Sequence, residues 1–209
     1  MHASLDFSGK VVVVSGGDSS LGAQIAEHFL AAGAEVAVTV SNASTMPPEG
    51  TEAYSCDALD YEQMSVVFEQ IRESRGRIDT LVIAGNNATA EASEDVIRQQ
   101  LVAPLNASQL ANRVMQEQDT GGAIIYLTGS PTQPGDAFVP ASCAASAGIR
   151  NLVTSLAVEW APRVRVNAVE SAAHSAATAD ICNACLFLAS GLSDYVSGSC
   201  VSPGHTGKR

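Results

Sequence analysis

The chain has 209 residues, 46% of them hydrophobic and 16% charged, which suits one domain burying roughly two thirds of its unfolded surface. A net charge of −11, with 11 Lys+Arg and no basic run, argues against nucleic acid or an anionic membrane as partner. No apolar run approaches the about 18 residues of a spanning helix, the start MHASLDFSGK lacks an apolar signal core, and five cysteines without framework spacing suit a reduced, cytoplasmic protein.

Lys10–Ser15 (KVVVVS) is a continuous β-branched run that suits a central parallel strand buried on both faces. The turn Gly16–Gly22 leads into a helix expected over Ala23–Ala32, closed by Gly33. Glu35–Val40 is a second strand, so the chain opens with a βαβ unit around a Gly-containing turn, the setting of a dinucleotide site. Gly16 and Gly22 also have a purely structural reading: the first permits the turn, the second lets helix and strand pack. Strand two ends at Thr39-Val40-Ser41-Asn42, without the Asp, Glu or Arg that would read a ribose. A Pro-containing loop follows over Ser44–Gly50. A turn at Cys56–Asp60 then precedes a helix over Tyr61–Ser74 that stops at Gly76.

Ile78–Ala84 is the next strand, and Asn86 and Asn87 follow as turn residues. Ser93–Gln118 reads as a long helix broken by Pro104. Ala123–Leu127 is a short apolar strand, followed by a loop with three prolines. From Ala141 to Trp160 the pattern is helical, with Ile149, Leu152, Val153, Leu156 and Trp160 along one face. Ala141, Ala144, Ala145 and Gly148 form a small-residue patch at its start, where another helix could approach closely. Arg165–Val169 is a strand, Ile181–Ser190 lies in a helix, and Ser199–Ser202 is the last strand. The expected fold is a single doubly wound, Rossmann-like α/β domain with a parallel sheet of about seven strands.

Several stretches resemble the short-chain dehydrogenase/reductase family: Ser15-Gly16-Gly17-Asp18-Ser19-Ser20-Leu21-Gly22, Leu81-Val82, Arg165-Val166-Asn167-Ala168-Val169, Leu186-Phe187-Leu188-Ala189-Ser190 and Tyr195-Val196-Ser197-Gly198. The resemblance covers nearly the whole chain. The motifs that mark the fold match, and those that mark activity do not. On the family's spacing the catalytic Ser falls on Gly129, the Tyr on Ser142, the Lys on Ser146 and the relay Asn on Gln100. In the cofactor loop Gly16 and Gly22 match, while Ser20 replaces the glycine that lets the backbone approach the pyrophosphate. Asp18 adds a negative charge nearby, and a charge pair at about 5 Å costs on the order of 3 kcal/mol at an effective dielectric near 20. Asp57 matches an Asp placed near adenine, or else simply caps the helix at Tyr61.

No shift of alignment restores the motif. The residues four after Tyr54, Tyr61, Tyr126 and Tyr195 are Ala58, Ser65, Ser130 and Ser199, and the two lysines are Lys10 and Lys208. Ser130 alone, after a one-residue slip, has no acid to work with. The family's long substrate lid is reduced to a few residues after Ser171. Cys182 and Cys185 form a C-x-x-C without a second pair, read as two core cysteines rather than a metal site, and His174 reads as a surface residue. The resemblance implies a non-catalytic subunit that pairs through its long helices with a catalytically intact relative, an alcohol or hydroxyacyl-CoA dehydrogenase, in an α2β2 assembly. On that view NAD(P) sits in the partner and this chain holds no cofactor. A nucleotide- or small-molecule-sensing module without turnover and an atypical active oxidoreductase remain the alternatives.

Overall fold

A computed structural model describes residues 5–41, 46–84, 92–129, 140–171 and 178–204. The β-branched run forms β1 (Val11–Ser15), fully buried, and α1 (Ser20–Ala31) follows it. β2 (Glu35–Val40) and β3 (Glu52–Ser55) come next. α2 (Tyr61–Arg75) ends on Gly76, whose φ of 74° is the left-handed stop that glycine takes without strain. β4 (Thr80–Ile83), α3 (Ser93–Ile97), α4 (Ala103–Glu117) and β5 (Gly122–Gly129) follow. The chain closes with α5 (Pro140–Glu159), β6 (Val164–Ser171), α6 (Thr178–Ala189) and β7 (Cys200–Val201).

The sheet has seven strands, all parallel, in the order β3-β2-β1-β4-β5-β6-β7. The order reverses between β1 and β4, which is where an open α/β sheet presents a crevice at its C-terminal edge. Side chains alternate across the strands, so each face has its own core. Val13, Leu81, Ile124 and Val166 pack with α2, α4 and α5 on one face, among them Phe68, Met115, Val153 and Trp160. Val12, Val14, Ile125 and Val169 pack with α1 and α6 on the other, among them Ile25, Phe29, Cys182 and Leu188. At the opposite edge of the sheet the carboxylate of Asp79, 9% exposed, accepts from Lys10 Nζ at 3.1 Å, from Val11 N at 3.0 Å and from Arg77 Nε at 2.7 Å. The acceptor needs of that mostly buried group are therefore met by charged or backbone donors.

Three expectations change. The first helix starts at Ser20 rather than Ala23, because Ser19 caps it. β3 is not legible as a strand: Glu52-Ala53-Tyr54-Ser55 is a mostly exposed edge strand without apolar alternation. Pro104 does not break the long helix. The chain stays helical but widens into a π turn over Arg98–Val102, where Ala103 N–H bonds the carbonyl of Arg98. Pro104 brings no N–H for the carbonyl four residues back, and the wider turn absorbs that loss before α4 begins.

Candidate active site and its cleft

The turn between β1 and α1 is built by its side chains. Gly16 sits at φ 85°. Ser19 Oγ donates to the Gly16 carbonyl at 2.8 Å and accepts from Gly22 N at 3.0 Å, closing the turn on itself. A Cβ on Gly22 would stand 2.2 Å from the Gly16 carbonyl oxygen, and one on Gly17 would stand 2.6 Å from Val38 Cβ. The structural reading of Gly22 is thus sufficient by itself. Gly17 is an equally strict position that matching to a nucleotide motif passes over.

Ser20 is exposed at the first position of α1, and its Oγ accepts from Gln24 Nε2 at 3.4 Å, along the helix rather than into the turn. Asp18 does not project freely toward the turn. Its Oδ2 accepts from Ser41 N at 2.9 Å and also from Ser41 Oγ, so the carboxylate is held at the end of β2. Gly16 N donates to the buried Thr39 Oγ1 at 3.2 Å, which ties the same two strand ends together. Asp57 shapes its own turn by accepting from Leu59 N at 2.9 Å. The cap of α2 is Asp60, which accepts from the backbone N–H of Glu62 and Gln63, so the capping role expected of Asp57 belongs to its neighbour.

A shallow cleft opens at this switch point. Gly16, Asp18, Thr39 and Ser41 line it on the strand side, and Gln99 and Ala103 line it from the helical side. Gln99, rather than Gln100, is among the residues that line the cleft. Among the described residues, no Lys or Arg lines it.

The other half of the site lies where β5 meets α5. Gly129 pairs with Ser171 at the end of β5, and Thr128 pairs with Glu170. A Cβ on Gly129 would lie 3.7 Å from Ser146 Oγ, so the Ser and Lys positions of the family frame are brought together. Ser142 and Ser146 are half-buried on the first turns of α5, and Gln100 is half-buried in the π turn. None of the four tyrosines lies on α5. Tyr126 is buried in β5, donates to Ser108 Oγ, and burial pushes its phenol far above the usual range. Tyr54 is on β3, Tyr61 opens α2, and Tyr195 is fully exposed. Lys10 is at the far edge of the sheet with Asp79. Gly129, Ser142, Ser146 and Gln100 carry between them two hydroxyls and one amide.

One charged pair near this frame goes beyond the motif positions. Arg150, one helical turn past Ser146, donates to Glu170 Oε1 at 2.7 Å, and Ser202 Oγ donates to the same carboxylate. The Ser202 hydroxyl and then Arg150 hold the Glu170 carboxyl below its usual value, against the opposing effect of burial. A signal for it exists in the sequence: Arg150 is the sole charge of α5 before Glu159.

Asn42, Asn86, Asn87, Ser130, His174 and Lys208 lie outside the described residues. Cys182 and Cys185 are fully buried, and burial pushes the Cys182 thiol up to about 11. Among the described residues no cluster of His, Cys, Asp or Glu could hold a metal, and no helix is long and apolar enough to cross a membrane. A cavity of about 430 Å³ opens at the opposite edge of the sheet. Its cations already have partners: Lys10 bonds Asp79, Arg163 bonds the Gln118 carbonyl and Arg165 bonds the Leu188 carbonyl.

The model of the family described as short chain dehydrogenase matches residues 10–181. A 3alpha-hydroxysteroid dehydrogenase of Mediterraneibacter gnavus is 29% identical over 92% of this chain and 94% of that protein. The 3-oxoacyl-(acyl-carrier-protein) reductase MabA of Mycobacterium tuberculosis is 32% identical over 73% of this chain, which spans 64% of that protein. The crystal structure of a short chain dehydrogenase from Mycobacterium smegmatis superposes with a TM-score of 0.86 at 24% identity, covering 99% of this chain and 95% of that one.

Proposed function

Because this chain belongs to the short-chain dehydrogenase family, an oxidoreductase family whose model matches residues 10–181, we propose that it is the non-catalytic subunit of a heteromeric dehydrogenase. The observation that carries this reading is that Ser146 Oγ lies 3.7 Å from where a Cβ on Gly129 would stand. The backbone frame of a reductase site is assembled, and the groups that would move a proton are absent from Gly129, Ser142, Ser146 and Gln100. Losing one positioned acid or base typically costs about 10²–10⁴ in rate, and here several go together. Only residues 172–177 join β6 to α6, which leaves little chain for a lid that excludes water.

Nicotinamide chemistry, when such a coenzyme is bound, is hydride transfer. The β5–α5 end of this chain does not fit that half of the coenzyme: Ser146 offers no cation for its ribose. In the proposed assembly a catalytically intact relative, acting on an alcohol or a hydroxyacyl-CoA, holds the working NAD(P). Support for pairing comes from the outer face of α5. Ala144, Ala147, Asn151, Thr154, Ser155 and Val158 are exposed and uncharged, and Val158 is 78% exposed. A solvated helix face normally carries charge, whereas small uncharged residues allow another helix to approach.

The test is native mass spectrometry of the tagged chain isolated from its own cells. A mixed assembly with a related chain, with coenzyme mass on that chain, supports the proposal. A homo-oligomer that turns over NAD(P)H unaided overturns it. The cleft at Asp18 favours a second reading, a nucleotide-sensing module without turnover.

A further inference from the structure

We infer that the cavity at the N-terminal edge of the sheet, opposite the crevice, binds the phosphate monoester of a small polyol, with Arg163 and Arg165 on the phosphate and the carboxylates of Asp6 and Asp194 on the hydroxyls. This goes beyond the proposed subunit role and holds whether or not that role does.

The cavity has a volume of about 430 Å³, within the range of about 300–1,000 Å³ usual for a small-molecule site. It lies where β1, β4, β5 and β6 begin, and it shares no lining residue with the cleft at the switch point. Lys10, Arg163 and Arg165 are its cations. Lys10 is spent on Asp79. The two arginines form no ion pair among the described residues. Arg165 donates to neutral oxygens, the Leu188 carbonyl at 2.8 Å, Ser193 Oγ at 3.0 Å and the Ser190 carbonyl at 3.4 Å. These bonds cap the C-terminal end of α6 and fix the guanidinium, so it need not be ordered when a ligand arrives. They leave part of its donor capacity uncommitted.

Arg163 is exposed and donates to the Gln118 carbonyl at 3.0 Å, which leaves it more. Two guanidiniums with spare donors on one cavity suit the several terminal oxygens of a phosphate better than a single carboxylate. Burial holds the Arg165 guanidinium below its ordinary value, with Asp194 acting in the opposite sense, as expected of a positive charge without a bonded counter-ion.

Charge at this edge runs against that of the chain. Arg77 joins Lys10 on Asp79, so that carboxylate is fully taken. The whole chain carries a net charge of −11, so an anion is repelled over most of the surface and drawn to this place. Asp6 and Asp194 are exposed at the same cavity. Asp6 accepts from Ser8 N at 2.9 Å and Ser8 Oγ at 2.6 Å, and both carboxylates keep acceptor capacity for hydroxyl groups. They also repel a second anionic group, which limits the ligand to one phosphate.

The test is isothermal titration calorimetry of the purified full-length chain in phosphate-free buffer at low salt, with glycerol 3-phosphate, inorganic phosphate and glycerate as probes. Glycerol 3-phosphate is expected to bind with a Kd below about 1 mM, at least as tightly as inorganic phosphate and at least about tenfold tighter than glycerate. Arg163→Gln, checked for folding by circular dichroism, weakens it at least about tenfold, while Arg72→Gln on α2, outside the cavity, leaves it within about threefold. On the unsubstituted chain, glycerol 3-phosphate protects Arg163 from phenylglyoxal, read by peptide mass. Absence of binding, binding that survives Arg163→Gln, or undiminished modification of Arg163 at saturation overturns the site, the last even if the substituted chain misfolds. A smaller preference over glycerate overturns phosphate as the ligand group, and tighter binding of inorganic phosphate overturns the polyol. None of these results bears on the subunit assembly, which has its own test.

Discussion

Ser146 Oγ stands 3.7 Å from where a Cβ on Gly129 would lie, an ordinary van der Waals separation. The end of β5 therefore has room for the side chain it lacks. Gly129→Ser is expected to change stability by no more than about 0.5 kcal/mol, measured by urea denaturation. A larger loss would mean that the end of β5 requires glycine for its own sake.

Gly22 is the opposite case. Its missing Cβ would meet a backbone oxygen at 2.2 Å, and no rotamer change can relieve that. Gly22→Ala is expected to cost about 1–3 kcal/mol by overpacking. The urea midpoint should fall with the slope unchanged. An unaltered midpoint would show that α1 can slide away from the turn.

Glu170 predicts a particular acid response. Its folded pKa is lowered, chiefly by the Ser202 hydroxyl and then by Arg150, while Cys200 lies beside it. Its stabilising contribution is therefore fully present above the unfolded glutamate value of about 4.3. It is lost as pH falls through the lower folded value. Glu170→Gln should reduce the melting temperature at pH 7 and have little effect once the wild-type carboxyl is protonated. Melting curves at pH 7 and pH 3 check this, and a constant difference between the two proteins would sink it.

Tyr126 and Ser108 form a buried pair whose two halves are unequal. Tyr126 donates to Ser108 Oγ, and Ser108 in turn donates to the Leu105 carbonyl at 2.7 Å. Tyr126→Phe leaves Ser108 its own acceptor and should cost about 0.5–1.5 kcal/mol. Ser108→Ala strands a phenol that is 1% exposed, and should cost more, about 1–3 kcal/mol. Equal losses in a double-mutant cycle would show that a water replaces the missing hydroxyl.

The central strands are legible because valine runs such as Val11–Val14 have no comfortable place except between two helical layers. The face of α5 is legible for a similar reason, since Ile149, Val153, Leu156 and Trp160 recur at helical spacing and are all buried. β3 is not, because an exposed edge strand that pairs only with β2 needs no apolar pattern. In the site, Gly129, Ser142, Ser146 and Gln100 are singled out by the family resemblance, and the structure brings Ser146 Oγ to the open side of Gly129. The Asp18–Ser41 bond cannot be read from the sequence, since it joins residues 23 apart in sequence and depends on how the four-residue turn between β1 and α1 folds. By sequence alone Asp18 is a charge in the wrong place; the end of β2 supplies its partners.

The π turn over Arg98–Val102 means that the helix carries one residue more than regular winding would hold. Each α-helical residue advances the winding by about 100°, so the surplus residue sets the phase of everything before it. As built, α3 lies against α5 with Val96 2% exposed. Excising a single residue from the turn would straighten the helix and rotate Val96 out of that contact. Chain length at this one place, more than the identity of any side chain, decides which edge of the segment faces inward.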